Sequence, residues 1–213
     1  MNPPGRATVL NAAFFNRDPR RVARSLLGKL LIRKTGGGIL AGRIVETEAY
    51  LGEGDAASHS AAGQTLRNAV LFGPPGYAYV YFIYGNHFCL NVSCLPEGIA
   101  GGVLFRAMEP VTGIEQMAQA RGIELPKESG LRKISILRKI SSGPGRMCEA
   151  LAVTRERDNG KSFVSRGSDL QLADDGYRVR RIIVTPRIGI VKSAEQPLRY
   201  IIAGNPFVSG RKT

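Results

Sequence analysis

Two pairs of apolar, β-branched runs, each joined by a turn too short for anything but a hairpin, confine this chain to antiparallel sheet architectures. Leu30 to Lys34 and Ile39 to Tyr50 flank Gly36-Gly37-Gly38. Tyr77 to Tyr84 and His87 to Leu95 flank Gly85-Asn86, a two-residue loop whose leading glycine suits a type II′ turn. Parallel neighbours would instead need a crossover of about a dozen residues or more. Gly102 to Ala107 reads as a further strand, and Val179 to Val184, Ile188 to Val191 and Leu198 to Ile202 predict a strand-rich C-terminal part.

Helices are fewer. Asp18-Pro19 supplies an N-cap and a proline at the first helical position, Val22, Leu26 and Leu27 make an apolar stripe, and Gly28 can stop it. Thr112-Gly113-Ile114-Glu115 has capping-box spacing and predicts a helix ending near Gly122. Ser142-Gly143-Pro144-Gly145 predicts another, through Leu151. Leu51 to Gly76 is rich in small residues, with one short helix expected near Arg67 to Leu71. A connection that long inside a domain more often works than idles. The pattern predicts an α+β single domain spanning residues 1–213, with a mainly antiparallel sheet and with residues 1–17 and 210–213 at its periphery.

Composition closes off other classes. No apolar run approaches the ~18–20 residues of a membrane helix, and Met1 to Arg6 lacks the apolar region of a signal peptide. Three cysteines without a C-x-x-C pair favour reduced intracellular thiols, and with two scattered histidines they make no zinc set. Lys and Arg outnumber Asp and Glu by 30 to 17, a net charge of +13 that favours polyanionic partners. Two acid-free basic tracts stand out: Arg132, Lys133, Arg138, Lys139 and Arg146, then Arg178, Arg180, Arg181, Arg187 and Lys192. Both fit phosphate contacts. Neither holds a Walker A or G-x-G-x-x-G pattern, so no nucleotide cofactor is indicated.

Strand alternation puts Glu46, Glu48 and Tyr50 on one face, where paired carboxylates need a cation, hydrogen bonds or a metal; otherwise the face is simply solvated. Arg106, in the apolar run Val103 to Met108, is a cation available to them, in a structural or a catalytic ion pair. Tyr77, Tyr79 and Tyr81 share one strand face and Tyr84 sits beside the turn. They either fill a core or form a stacking wall and wedge for a nucleic-acid base. His59 lies in a small-residue loop directly after the Glu48–Tyr50 strand. Asn91 is an amide among Cys89, Leu90 and Val92, and it needs partners or reads something.

These blocks resemble the alkyladenine (3-methyladenine) DNA glycosylase family. Gly42 to Gly52 matches its first signature, and Ala57-Ser58-His59-Ser60 and Arg67-Asn68 continue it. Tyr79 to Gly85 with Asn91-Val92 matches its hairpin. Leu104 to Pro110, Ser142 to Cys148 and the tail from Pro197 to Pro206 follow in order. The resemblance implies a curved sheet with surrounding helices and a protruding β-hairpin. It implies a monofunctional enzyme of base excision repair that flips damaged purines out of double-stranded DNA and hydrolyses their N-glycosidic bond, without cofactor, metal or membrane and as a monomer. By the same match Glu48 is the base that activates water and Arg106 holds that carboxylate and water. The carbonyl of Ile202 is a further acceptor for the water. Tyr50, His59 and Tyr81 wall the base pocket, Asn91 disfavours the 2-amino group of guanine, and Tyr84 fills the gap left by the flipped nucleotide. No lysine falls on a matched site position, which implies water as the nucleophile. Leu66 and Asn86 stand where the family more often has proline and methionine.

Two other readings of the same residues differ in class. One is a catalytically silent binder of damaged or single-stranded DNA. The other is a metal-dependent nuclease built on Glu46 and Glu48, which needs more carboxylates than these blocks supply.

Overall fold

Alternation and short turns produce an all-antiparallel sheet. The computed structural model describes residues 7–126 and 130–210. Its strands are β1 (Thr8–Val9), β2 (Leu30–Thr35), β3 (Gly38–Tyr50), β4 (Ala78–Ile83), β5 (His87–Ser93), β6 (Gly102–Thr112), β7 (Leu170–Asp174), β8 (Ile182–Thr185) and β9 (Arg199–Ile202). They run in the order β1-β7-β2-β3-β6-β5-β4, while β9 pairs with both β3 and β8. The first half of β3 pairs with β2, and Glu46 to Glu48 pairs with β9. The helices are α1 (Ala12–Phe15), α2 (Pro19–Leu26), α3 (Ile114–Ala120), α4 (Leu131–Ser141), α5 (Pro144–Ala150) and α6 (Arg155–Asp158). The fold is α+β, as the sequence predicts.

One irregularity decides where the polar residues of β3 point. The register between β3 and β6 shifts around Val45, between Ile44 and Glu46. A bulge turns successive side chains to the same side. Leu40 and Ile44 therefore pack in the core, and so do Val45 and Ala49 beyond the shift. Glu46, Glu48 and Tyr50 consequently face away from it. Thr47, on the core side, donates its hydroxyl to the Ala23 carbonyl of α2 at 3.0 Å. Each fully buried Leu or Ile of this layer contributes about 1.5–3 kcal/mol, and Leu26, Leu31, Ile44, Leu90 and Leu170 are among those with no exposure.

The structure corrects several expectations. The β4–β5 hairpin pairs Ile83 with His87, so its loop is Tyr84-Gly85-Asn86, one residue longer than the type II′ loop expected. Tyr84 and Gly85 both have positive φ, +54° and +72°, which places Tyr84 in the turn rather than on the strand. Thr112 does not cap α3: it ends β6, and Gly113 in the left-handed region is the cap, with no side-chain bond. The basic run at Leu131 to Ser141 is helix α4, and β6 runs on to Thr112. Residues 188–191 are loop, not strand. Within the stretch expected at the periphery, β1 pairs with β7 and Phe15 is fully buried.

Candidate active site

Glu48 is fully buried, and its carboxylate is held from three directions. Tyr50 donates its hydroxyl to Oε2 at 3.1 Å, Arg106 Nη1 approaches the same oxygen at 3.2 Å, and the Ile188 N–H donates to Oε1 at 2.9 Å. Glu46 beside it accepts from Arg106 Nε at 3.1 Å, from Arg199 Nε at 2.7 Å and from the Ser209 N–H at 2.6 Å. The two carboxylates that repel each other on paper are thus bridged by one planar guanidinium. Burial opposes the charge on Arg106, but Glu48 and Glu46 outweigh it and hold the guanidinium charged. Burial, then the adjacent Glu48, pushes the Tyr50 hydroxyl far up, so it stays a donor. Each oxygen of Glu46 and Glu48 accepts from at least one protein donor. Among the described residues no group of three His, Cys, Asp or Glu side chains is placed to hold a metal.

Beyond Tyr50 lies a cavity of about 130 Å³ lined by Tyr50, His59, Tyr79, Tyr81, Asn91 and Ile190, among others. His59 meets the Tyr81 ring edge-on at 4.5 Å and shares a 2.9 Å hydrogen bond between its Nδ1 and the Tyr79 hydroxyl. Burial, and then the charge of Arg67, lowers the His59 pKa, so the ring is neutral near pH 7. The Asn91 amide donates to the Tyr79 carbonyl at 3.1 Å across the β4–β5 pair. Asn68 fixes the loop beneath by donating to the carbonyls of His59 and Gly63 at 2.9 and 3.0 Å. These walls are aromatic with a few placed polar groups, the usual make-up of a small-molecule pocket.

A groove of about 480 Å³ shares Tyr50 and Tyr81 with that cavity and continues past Tyr84, His87, Arg106 and Arg146. Tyr84, at the hairpin turn, is 78% exposed. Gly145 lets α5 close on the hairpin: a Cβ there would meet the His87 ring at 2.8 Å.

The structure therefore brings together Glu48, Arg106, Tyr50, His59, Tyr81 and Asn91, with Tyr84 at the rim. The Ile202 carbonyl lies elsewhere, in β9, accepting from the Asn205 N–H at 3.2 Å. The backbone that meets the carboxylate is that of Ile188, whose carbonyl is 3.4 Å from Arg106 Nη1. Sequence reasoning also misses Arg199, Asp55 and the true position of Arg187. Arg187 sits inside an acid-free tract and reads as a phosphate contact, yet it is fully buried against Asp55 at 2.6 and 2.7 Å. Its partner lies 132 residues away, beyond any local spacing signal.

The profile of the family described as Methylpurine-DNA glycosylase (MPG) matches residues 13–206. A relative from Koribacter versatilis is 67% identical over 203 residues, covering 95% of this chain and 94% of its own. One from Methanocella arvoryzae is 43% identical (95% and 96% covered), and one from Anaeromyxobacter dehalogenans 42% (94% and 85%). All three bear the name "Putative 3-methyladenine DNA glycosylase". The chain belongs to the methylpurine-DNA glycosylase family and is a DNA glycosylase, a hydrolase of N-glycosyl bonds.

Proposed function

We propose that this enzyme turns a damaged purine out of duplex DNA into the Tyr50–Tyr81 cavity and cleaves its N-glycosidic bond with water activated by Glu48, opening base excision repair. The observation that carries this reading is Glu48 itself: a buried carboxylate with three fixed donors, behind the wall shared by a base-sized cavity and a basic groove. A protein that only binds DNA has no use for such a group near phosphates. Flipping costs a few kcal/mol and is least costly for damaged or mispaired bases, so selection begins there. An alkylated base is cationic and favours the faces of Tyr50 and Tyr81. Glu48 deprotonates the water and offsets charge on an oxocarbenium-like sugar, as carboxylates do in glycoside hydrolysis. Arg106 orients both, and the Ile188 carbonyl, in place of that of Ile202, is the second acceptor for the water.

The substrates under this reading are 3-methyladenine, 7-methylguanine, hypoxanthine and ethenoadenine. Asn91 disfavours the 2-amino group of guanine, and Tyr84 occupies the space the nucleotide leaves. Under this reading the enzyme acts as a monomer, inside the cell where its DNA substrate is. No helix among the described residues is long and apolar enough to cross a membrane.

The test is a labelled duplex bearing one hypoxanthine, with an alkylated duplex beside it, incubated in EDTA and read with and without hot alkali. Breaks that need alkali are expected. Breaks without alkali would indicate a lyase, breaks only with added metal a nuclease, and binding with no breaks a silent binder.

A further inference from the structure

The two loops that wall the cavity, residues 52–63 and 186–193, contain no helix or strand. Something other than a backbone ladder must fix them. One buried ion pair joins them. Arg187 and Asp55 have no exposed side-chain surface and meet through two parallel contacts at 2.6 and 2.7 Å. Asp55 also accepts from the N–H groups of Leu51 and Ala57 at 3.1 and 3.2 Å, which shapes the turn leading to His59. Arg187 donates further to the Ala49 carbonyl at the end of β3 and to the Ser193 carbonyl, at 3.0 and 3.3 Å. Its guanidinium lies over the Tyr50 ring at 4.6 Å. The next residue, Ile188, is the one whose N–H binds Glu48, and Ile190 lines both cavity and groove.

We infer that the Asp55–Arg187 pair is a positioning unit for base release: it locks the Ile188 backbone and the Tyr50 ring against Glu48 while fastening the loop that carries His59. The inference rests on the glycosylase reading above. Neither residue touches the base, so the pair acts through the groups it holds. A planar fork suits this better than an ammonium, since Arg187 must satisfy Asp55, Ala49 and Ser193 at once. Small misplacement of reacting groups costs up to about a hundredfold in rate, even when its cause is remote.

The test compares wild type with Arg187→Lys and Asp55→Asn in single-turnover release of hypoxanthine, each rate normalised to the folded fraction. The affinity for undamaged duplex is measured alongside. Both variants keep volume and most packing, and the second retains a neutral acceptor should the first fold poorly. Release is expected to fall about ten- to a hundredfold while duplex affinity stays within about twofold. A purely structural pair would lower only the folded fraction, leaving the normalised rate unchanged; that result would overturn the inference. Wild type that releases no base would instead refute the glycosylase reading, independently of the pair.

Discussion

On the proposed mechanism a single carboxylate bears most of the chemistry, and its neighbours determine what it can do. Glu48 is bonded by Tyr50, Arg106 and Ile188, and Glu46 takes the second edge of Arg106. Arg106 is thus a spacer between two acids as much as a cation for one. Arg106→Lys keeps the charge but cannot reach both carboxylates with parallel donors, so base release should drop by ten- to a hundredfold, roughly the cost of misplacing a reacting group. Single-turnover kinetics read this directly. Tyr84 makes a different prediction. It is exposed and its ring holds up nothing in the core, so Tyr84→Ala should leave the melting temperature within about 1 °C, surface changes being nearly neutral. Base release from duplex should fall more than release from single strands, where no stack has to be opened. Equal loss on both substrates would contradict a gap-filling role. The site is legible here to an uneven degree. Glu48, Tyr50, Arg106, His59 and Tyr81 lie in short motifs whose alternation and resemblance can be read from the chain. Arg199 and Asp55 are isolated letters, and their partners come only through packing.

Elements position these residues, and the bulge around Val45 is the one that matters most. It carries Ile44 and Val45 together into the core and sends Glu46 and Glu48 to the opposite side. Alternation alone orders Glu46, Glu48 and Tyr50 correctly because all three lie beyond the shift. It misassigns the first half of β3 relative to them. The hairpin length, the α3 cap and the loop at residues 188–191 are misread for a related reason. Positive φ at Tyr84 and Gly113, and a stretch held by side chains rather than by a ladder, leave no periodic trace. Gly52 tests how tightly the pocket loop is set. It has φ +85°, and a Cβ there would run into the Ala100 carbonyl. Gly52→Ala should cost about 1–3 kcal/mol, the range for a residue forced against its backbone geometry. Thermal melting would show it, and unchanged stability would mean that the loop relaxes freely.

At the scale of the whole molecule, charge governs both stability and DNA binding. Asp18, Asp55, Asp169, Asp174 and Asp175 are held below the usual carboxylate range, Asp18 chiefly by its hydrogen bond from Arg20. Burial pulls Asp55, Asp169 and Asp174 upward, but hydrogen bonds from Arg187, Lys161 and Lys29 outweigh it; for Asp175 the Arg43 fork is the leading cause. An acid depressed in the folded state adds stability that is complete above its unfolded value, about 3.9, and is lost as pH falls through the folded one. The melting temperature should therefore fall slightly as pH drops below about 6.5, where the unfolded chain protonates His59 more readily than the fold does, and fall more steeply below about pH 4. A melting temperature that stays level down to about pH 3 would contradict the aspartate contribution. The net charge of +13 predicts a steep salt dependence of duplex affinity, each neutralised phosphate adding about 0.9 to the slope of log affinity against log salt. Composition makes this scale readable from the chain, although Arg33, Arg187 and Arg199 are buried in ion pairs and contribute nothing to the surface.

The account turns on Glu48, and the most direct measurement is single-turnover release of hypoxanthine by Glu48→Gln, each rate normalised to the folded fraction. The substitution keeps size but turns one accepting oxygen into a donor, and the new side chain cannot accept the proton of water. Release should fall by at least a hundredfold, the contribution of a positioned general base being about 10²–10⁴, with duplex affinity close to wild type. Release at the wild-type rate would contradict the account at its centre.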